Sequence, residues 1–171
     1  VALIWGIADD VLRDLYVRGK YRDVILPFTV LRRLDSVLEP TRDAVIEMKK
    51  TLDDAGIANQ DGPLRSAAQQ DFYNTSGFTL RDLRSTANLT RLRQNFEAYL
   101  DGFSPNVQEI IDNFEFRNQL PRLTKADALG SLIEKFLQPD LDLSPSGLDN
   151  HGMGTVFEEL VRRFNEENNE E

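Results

Sequence analysis

Apolar residues recur every three or four positions along most of this chain, the spacing that gathers them on one face of an α-helix. The first two stripes are Trp5, Ala8, Leu12 and Leu15, followed by Pro27, Leu31, Leu34 and Leu38. Gly19 lies between them, and we expect it to end the first helix in the left-handed conformation that favours glycine. Pro27 can either open the second helix or kink it, so its role stays open.

Capping residues mark the start of several further helices. Thr41, Thr79 and Asn88 are predicted N-caps, because their side-chain oxygens can accept hydrogen bonds from the free N–H groups of a first turn. Thr124, followed three residues later by Asp127, resembles a capping box and is predicted to open another helix.

Glycine and proline mark other boundaries. Gly56, Gly77 and Gly102 are predicted to end helices, and Pro63 is predicted to open one over residues 64–73. The residues predicted to face the core in the later helices are Leu89, Leu92, Phe96, Leu100, Val107, Ile110, Ile111, Phe114, Leu129, Leu132, Ile133, Phe136, Leu137, Val156, Phe157, Leu160, Val161 and Phe164.

No stretch of the chain alternates apolar and polar residues as a half-buried strand does. The pattern therefore predicts an all-α fold, a compact multi-helix bundle of about eight or nine helices, several of them short. Residues 1–138 are the predicted N-terminal helical domain. Residues 139–150, which contain proline and glycine breakers, form a predicted linker, and residues 151–171 are the predicted final helix.

Composition narrows the class of protein. Hydrophobic residues make up 40% and charged residues 29% of the chain, as in an ordinary globular domain. No apolar run approaches the roughly 20 residues of a membrane-spanning helix, so no membrane is expected among the partners. The chain contains no cysteine, which excludes disulfides and thiolate metal sites and suits a reducing cytoplasm, the location that we expect.

Charge is unevenly distributed. The net charge of −9 argues against a protein whose whole surface binds nucleic acid, but residues 131–171 alone hold ten Asp/Glu against three Lys/Arg. The basic residues that stand out are Arg13, Arg18, Lys20, Arg22, Arg32 and Arg33 in a first island, Arg81, Arg84, Arg91 and Arg93 in a second, and the pair Arg162 and Arg163.

These basic groups have two possible interpretations. The first island supplies the leading candidates for contacts to DNA phosphate or a partner, and the second island supplies the next. The alternative is a set of solvated helix faces that make weak ion pairs. Arg32 and Arg33 are expected to point away from the apolar stripe of their helix, and Arg162 and Arg163 from the stripe of the last helix.

Candidate chemistry within the chain is sparse. His151 is the only histidine, and no serine lies in a nucleophile-elbow context, so a catalytic triad is not expected. Asp140, Asp142 and Asp149 lack the regular spacing of a calcium loop, and no metal site is expected. The run Gly152-Met153-Gly154 is too short for a phosphate-binding fingerprint.

Aromatic residues interleave with the first basic island. They are Trp5, Tyr16, Tyr21 and Phe28. One interpretation is a platform on which nucleic-acid bases stack. Aromatic residues at helical spacing more often belong to a core, and the core interpretation is favoured.

The literal sequence of the two ends resembles a known family. The N-terminal run, from Ile4 to Asp35, reads IWGIADDVLRDLYVRGKYRDVILPFTVLRRLD and closely resembles the start of the DNA-methylation subunit of type I restriction-modification systems. The C-terminal run, from Gly152 to Glu171, reads GMGTVFEELVRRFNEENNEE and resembles the segment that leads into that family's methyltransferase domain. The resemblance covers essentially the whole chain.

The resemblance implies a function for the full-length family protein. That protein transfers a methyl group from S-adenosylmethionine to N6 of adenine, at a DNA site that a separate specificity subunit reads. The implied partners are double-stranded DNA, the specificity subunit, a second methylation subunit and, in the larger complex, the restriction subunit. The helical N-terminal part is implied to help close the complex around DNA and to contact its neighbours.

The chain departs from the full-length family pattern in one respect. It contains neither the Asn-Pro-Pro-aromatic motif that holds the target amine of a flipped base nor a parallel-sheet pattern. The resemblance thus implies a non-catalytic fragment without a cofactor of its own, whose last residues, 151–171, lead toward a methyltransferase domain absent from this sequence. The rival interpretation is a free-standing helical protein–protein adaptor or regulator. A self-contained helical enzyme is disfavoured by the missing acid–base and metal constellations.

Overall fold

In a computed structural model, which describes the backbone of residues 1–170 and the side chains of residues 1–166, the chain forms ten α-helices. They are α1 (Ala2–Leu12), α2 (Arg22–Leu38), α3 (Arg42–Asp54), α4 (Asp61–Ala68), α5 (Leu80–Arg84), α6 (Leu89–Asp101), α7 (Pro105–Asn113), α8 (Leu120–Lys125), α9 (Ala128–Phe136) and α10 (Asn150–Glu170). The short 3-10 segments are Arg18–Lys20, Glu39–Thr41 and Phe116–Gln119. Within residues 1–170 no strand forms, and extended pairing is limited to an isolated bridge between Asn74 and Phe103. The predicted all-α bundle with several short helices is confirmed.

The central helix is α2, since twelve of its seventeen residues are buried. The ring of Phe28 lies in the middle of the core, with its centroid 4.9 Å from that of Phe136. The rings of Phe96 and Phe116 follow at 6.1 and 6.2 Å. Each of these four side chains comes from a different element, and fully burying one contributes about 1.5–3 kcal/mol. The core therefore forms where α2, α6, α9 and the segment before α8 meet.

The first two apolar stripes lie on the core side, as predicted. Their residues are buried except for Leu15 and Leu34, which are half-buried against the core. The prediction for Gly19 is wrong, because α1 already ends at Leu12 and Gly19 lies in a 3-10 segment. The N–H groups of Leu15 and Tyr16 both donate to the Leu12 carbonyl, and this turn ends the helix without a left-handed residue.

Pro27 lies inside α2 rather than at its start. The helix begins five residues earlier, at Arg22, because the N–H groups of Val24 and Ile25 donate to the carbonyl of Tyr21 and form the first turn. Proline has no N–H, so the carbonyl of Asp23 has no intrahelical donor from position 27.

Two of the predicted caps are confirmed. Thr79 and Asp82 form a capping box at the start of α5, with the Asp82 N–H donating to the Thr79 hydroxyl oxygen at 3.2 Å and the Thr79 N–H donating to the Asp82 carboxylate at 2.9 Å. The Asn88 side chain accepts the Arg91 N–H at 3.0 Å at the start of α6. These caps fix the starts of the two consecutive helices α5 and α6.

The other two predicted caps differ in detail. Thr41 precedes α3, as predicted, but its hydroxyl donates to the Ala68 carbonyl at 3.1 Å and makes no capping bond. The prediction for Thr124 is wrong, because it lies in α8, a short helix that the sequence did not indicate, and donates to the Leu120 carbonyl at 2.8 Å. The next helix, α9, instead follows Asp127, which is left-handed with φ +57°.

Several helix boundaries also shift. The helix predicted over residues 64–73 begins earlier, at Asp61, and ends at Ala68, because Gln69 adopts a left-handed φ of +57°. Gly56 and Gly77 have positive φ angles of +70° and +82° at the turns that follow α3 and precede α5. Gly102 follows α6 as predicted, but its φ is −77°, so another property fixes glycine there.

Two residues predicted to face the core are exposed. Leu89 is 44% exposed at the first position of α6, and Ile110 is 40% exposed on α7. The other predicted inward residues are buried or half-buried against the core.

Residues 139–150 pack against the helices although they contain almost no helix of their own. Leu141 and Leu143 are buried, and α10 begins at Asn150. Phe164, on α10, places its ring centroid 5.1 Å from that of Trp5. The division into a domain of residues 1–138, a linker and a final helix stays a prediction. Among the described helices, none reaches the combination of length and hydropathy that a membrane-spanning segment requires.

Candidate nucleic-acid interface

Arg32 and Arg33 are buried, so the expectation that they point into solvent is wrong. Their exposed fractions are 6% and 7%, because α2 is covered on nearly every side. Arg32 donates from Nε to the Phe136 carbonyl at 3.2 Å and from Nη1 to the Ser36 hydroxyl at 2.6 Å. Its Nη1 also lies 3.5 Å from the Asp35 carboxylate.

Arg33 fixes residues 143–150 to α2. Its Nη1 donates to the carbonyls of Leu143 and Leu148 at 3.0 and 2.6 Å, and its Nη2 donates to the Asn150 side chain at 3.0 Å. A planar guanidinium suits this task because its donors are held in a rigid fork. Both arginines are therefore occupied inside the protein and drop out of the phosphate candidates.

The rest of the first island lies at the surface. Arg13 pairs with Asp9 at 3.4 Å, an exposed ion pair of the kind that contributes little. Arg22 donates to the Asn165 side chain at 2.7 Å, which ties α2 to α10 without neutralising its charge. Lys20 is exposed and makes no ion pair with a side chain that the structure describes.

Trp5 brings the first island and the C-terminal pair together. The guanidinium carbons of Arg18 and Arg163 lie 5.7 and 4.3 Å from the centroid of its ring. Trp5 itself is 7% exposed. The other aromatic residues of the island, Tyr16, Tyr21 and Phe28, are also buried. The core interpretation is confirmed, and a base-stacking platform is excluded for these four rings.

The C-terminal arginines differ from each other. Arg162 is exposed, as predicted, and lies 2.8 Å from Glu166 and 3.9 Å from Glu159 on the same helix. Arg163 is half-buried because it packs over Trp5. The charge of Arg162 is thus balanced within α10.

Half of the second island is also paired with carboxylates. Arg81 lies 3.6 Å from Glu39, and Arg93 lies 3.1 Å from Glu97. Arg84 and Arg91 are exposed and have no ion pair with any residue of the described part. They are the two uncompensated charges of this island.

An open groove lies beside these two arginines, in the connection between α5 and α6. Its lining, which we call the α5–α6 groove, consists of Ser85, Thr86, Ala87, Asn88, Thr90, Arg91, Gln94 and Asn95. Arg84 immediately precedes it. Hydroxyl, amide and guanidinium groups are the side chains that proteins commonly use on nucleic-acid phosphates, and the lining contains no carboxylate.

The neutral residues of the α5–α6 groove were missed by the sequence predictions, although the sequence contains a signal for them. No Asp or Glu occurs between Asp82 and Glu97 in an otherwise acidic chain. Clusters of Ser, Thr and Asn were assigned only to caps and loops.

One buried carboxylate stands apart from the surface charges. Asp35 accepts hydrogen bonds from the Tyr99 hydroxyl at 2.9 Å and the Leu80 N–H at 3.2 Å. Burial raises the pKa of Asp35, although the hydrogen bonds from Tyr99 and Leu80 and the nearby charge of Arg32 act in the opposite direction. Burial, followed by the nearby Asp35 charge, raises the pKa of Tyr99 well above its ordinary value. These groups join α2, α5 and α6 in the core.

Comparison with known proteins identifies a family. A family model described as "HsdM N-terminal domain" matches residues 1–136. No curated protein and no solved structure matches the chain. The family match includes the α5–α6 groove and both basic islands, and it ends at the last residue of α9.

Proposed function

The chain belongs to the HsdM N-terminal domain family, the N-terminal domain of the methylation (M) subunit of type I restriction-modification systems, and we propose that it clamps DNA and supports subunit assembly in such an enzyme. In this proposal the full-length subunit transfers methyl from S-adenosylmethionine to adenine N6. It works in the cytoplasm with a specificity subunit, a second methylation subunit and the restriction subunit.

The methyl-transfer step is not assigned to these helices. Adenosyl cofactors of this class are typically bound at the carboxyl edge of a parallel sheet, and residues 1–170 contain no strand. We therefore propose no S-adenosylmethionine site within residues 1–170. The role proposed for this chain is to bind and position DNA and other subunits.

The DNA-clamping proposal rests on which arginines of the second island form ion pairs with carboxylates. Arg84 and Arg91 make no ion pair with a described carboxylate and lie beside a groove whose lining contains none, while Arg81 and Arg93 lie 3.6 and 3.1 Å from glutamates. On a chain with a net charge of −9, such a local site can attract phosphate where the whole surface cannot. Arg18, Lys20 and Arg22 are proposed as a second group of contacts, because no carboxylate that the structure describes pairs with them.

These contacts would position the DNA backbone without reading its sequence. Arginine, hydroxyl and amide contacts to phosphate fix register and orientation but carry no base information. This division of labour agrees with recognition by a separate specificity subunit.

The first experiment replaces both free arginines in the complete methylation subunit, assembled with its specificity subunit. We expect Arg84→Ala/Arg91→Ala to weaken DNA binding. The slope of log K against log salt should become shallower by up to about 1.8, because each phosphate contact contributes about 0.9. Binding would be measured by fluorescence anisotropy at several salt concentrations.

The matched control is Arg81→Ala/Arg93→Ala, which removes the same charge from the same region. Since these two guanidinium groups already pair with Glu39 and Glu97, we expect a much smaller change in the slope. Equal slopes for the two double variants would show that DNA binding depends on the total charge of this region and not on which arginines are unpaired. A slope equal to that of the wild type in Arg84→Ala/Arg91→Ala would show that the α5–α6 groove does not contact DNA.

A further inference from the structure

Two guanidinium groups from distant parts of the chain lie against one indole ring. The guanidinium carbon of Arg18, in the 3-10 segment after α1, lies 5.7 Å from the ring centroid of Trp5, and that of Arg163, on α10, lies 4.3 Å from it. The two carbons are therefore no farther apart than the sum of these distances. Arg18 is exposed and Arg163 is half-buried, so an anion in solvent can reach both. We call Trp5, Arg18 and Arg163 the Trp5 site.

Neither arginine of the Trp5 site forms an ion pair with a carboxylate that the structure describes. The glutamates that flank Arg163 on α10 pair with its neighbour, since Glu159 and Glu166 lie 3.9 and 2.8 Å from Arg162. Two like charges held against one ring repel each other, and an anion in contact with both relieves that repulsion.

The carboxylate one helical turn beyond Trp5 on α1 is also engaged elsewhere. It belongs to Asp9, whose two oxygens lie 3.4 Å from the Arg13 guanidinium and 3.3 Å from the Tyr21 hydroxyl. The positive charge of the Trp5 site is thus left for a ligand.

Arg163 reaches this site because α10 packs against the N-terminal segment. The buried ring of Phe164 has its centroid 5.1 Å from that of Trp5, and the Asn165 side chain accepts a hydrogen bond from Arg22 at 2.7 Å. A ligand that contacts both arginines therefore bridges α10 and the segment after α1.

We infer that the Trp5 site binds phosphate groups of the DNA backbone and that this binding holds α10 on the bundle. Guanidinium groups donate strong, charge-assisted hydrogen bonds to phosphate. The inference rests on the DNA-clamping part of the proposed function. It adds a contact from α10, which lies beyond the residues that the family model matches.

The surroundings favour a DNA backbone over a single small anion. Lys20 and Arg22 follow Arg18 and also form no ion pair with a described carboxylate. Phosphates of one DNA strand follow each other about every 3.4 Å along the helix axis, so they can contact a row of cations, whereas a free phosphate ion contacts only part of it. Because Trp5 is 7% exposed, the ligand meets the guanidinium groups and does not stack on the ring.

The test removes both charges of the Trp5 site from the complete methylation subunit, assembled with its specificity subunit. We expect Arg18→Gln/Arg163→Gln to weaken DNA binding and to make the slope of log K against log salt shallower by up to about 1.8. Fluorescence anisotropy at several salt concentrations measures the slope. Glutamine keeps part of the arginine stem, so packing over Trp5 is largely retained.

The matched control is Arg13→Gln/Arg162→Gln. It removes the same charge from the same two segments, but from arginines that already pair with carboxylates. We expect a much smaller change in the slope, and equal slopes for the two double variants would overturn the inference. Weaker association with the specificity subunit, combined with a wild-type DNA slope in Arg18→Gln/Arg163→Gln, would show an acidic protein partner and overturn it as well.

The link to α10 has its own measurement. We expect duplex DNA to slow backbone hydrogen exchange in α10 of the wild-type complex, and this protection should be lost in Arg18→Gln/Arg163→Gln. Equal protection in both proteins would overturn the proposed bridge. If the double variant exposes Trp5 and shifts its emission to the red, Arg18→Gln alone replaces it, because that side chain is exposed, and the expected change in slope is then about 0.9.

Inorganic phosphate tests the small-anion alternative. Trp5 is the only tryptophan of the 171-residue chain, so its emission reports directly on this site. We expect no saturable change in Trp5 emission with phosphate relative to chloride at equal ionic strength. A saturable change, together with a wild-type DNA slope in Arg18→Gln/Arg163→Gln, would show a site for free phosphate and overturn the inference.

Failure of this inference is separable from failure of the DNA-clamping proposal, because Arg84→Ala/Arg91→Ala is measured in the same assay. A wild-type slope in Arg18→Gln/Arg163→Gln, with a shallower slope in Arg84→Ala/Arg91→Ala, would overturn the inference alone. Wild-type slopes in both double variants would overturn the DNA-clamping proposal as well.

Discussion

At the scale of single residues, Asp35 connects three helices of the core, α2, α5 and α6. Its carboxylate on α2 accepts the N–H of Leu80 and the hydroxyl of Tyr99, and it lies 3.5 Å from Arg32. These partners are 45 and 64 positions away for Leu80 and Tyr99. A buried carboxylate is costly unless it is paired and hydrogen-bonded, so the cluster is stable only as a complete set.

We expect Asp35→Ala to lower the free energy of unfolding by about 2–4 kcal/mol, because the Tyr99 hydroxyl and the Leu80 N–H lose their acceptor in a buried position. Asp35→Asn keeps a side-chain oxygen for both donors and should cost less. Urea denaturation of the three proteins at neutral pH measures the difference. A smaller loss for Asp35→Ala than for Asp35→Asn would contradict this account.

The unfolding free energies of the wild type and Asp35→Asn should also differ in their dependence on pH. Burial raises the pKa of Asp35 above its ordinary value of 3.8, so between 3.8 and the raised value the folded state binds more protons than the unfolded state. The contribution of Asp35 to the unfolding free energy therefore falls as pH rises through that interval. Asp35→Asn lacks this titration. We expect the wild-type minus Asp35→Asn difference in unfolding free energy to decrease with rising pH there, and a constant or increasing difference would contradict it.

At the scale of elements, glycines show two different roles. Gly102 ends α6 where its carbonyl accepts the Thr75 N–H at 2.9 Å. A Cβ at position 102 would lie 2.6 Å from the Ser76 backbone nitrogen and 2.7 Å from the Asn74 side-chain oxygen. Close approach of another backbone, and not its φ angle, requires glycine at this position. Gly154 lies inside α10 with open space around it.

We therefore expect opposite effects of the same substitution at these two sites. Gly154→Ala should stabilise the protein by about 0.5–1 kcal/mol, because alanine loses less backbone entropy in a helix. Gly102→Ala should destabilise it by about 1–3 kcal/mol, because the added methyl overlaps a neighbouring segment. Thermal unfolding followed by circular dichroism measures both, and shifts of the same sign would contradict the explanation.

At the scale of the whole molecule, the core continues beyond the residues that the family model matches. The match ends at residue 136, whereas Leu141, Leu143, Leu160 and Phe164 are all buried. Arg33 holds the intervening segment through carbonyl and amide oxygens, and Phe164 packs on Trp5. The predicted linker therefore takes part in the packing of the bundle.

Truncation after Gln138 tests whether residues 1–138 form the predicted independent domain. We expect the shortened chain to unfold at a lower urea concentration and its Trp5 emission to shift to the red, because removing α10 exposes that ring. Trp5 is the only tryptophan, so the fluorescence signal is unambiguous. An unchanged emission maximum and midpoint would instead support a self-contained domain of residues 1–138.

The fates of similar residues show how far the candidate site could be predicted. Arg33 and Arg84 are the same residue type within basic islands, yet one is buried against carbonyl groups and the other is free at the surface. Helical periodicity gives the direction of a side chain relative to its own helix. It does not give what the neighbouring elements place there, so the islands were predicted as groups and could not be divided into buried, paired and free members.

By itself, the sequence determined the helical class, most inward faces and the caps at Thr79 and Asn88, because these depend on residues within a turn or two of each other. The resemblance of its N-terminal run also indicated the family, and the match over residues 1–136 confirms it. Only the tertiary structure decided that Arg33 is internal, that Ile110 is exposed, and that Arg91 lines a groove without acidic side chains. Those outcomes depend on which distant elements pack together, and local spacing carries no information about that packing.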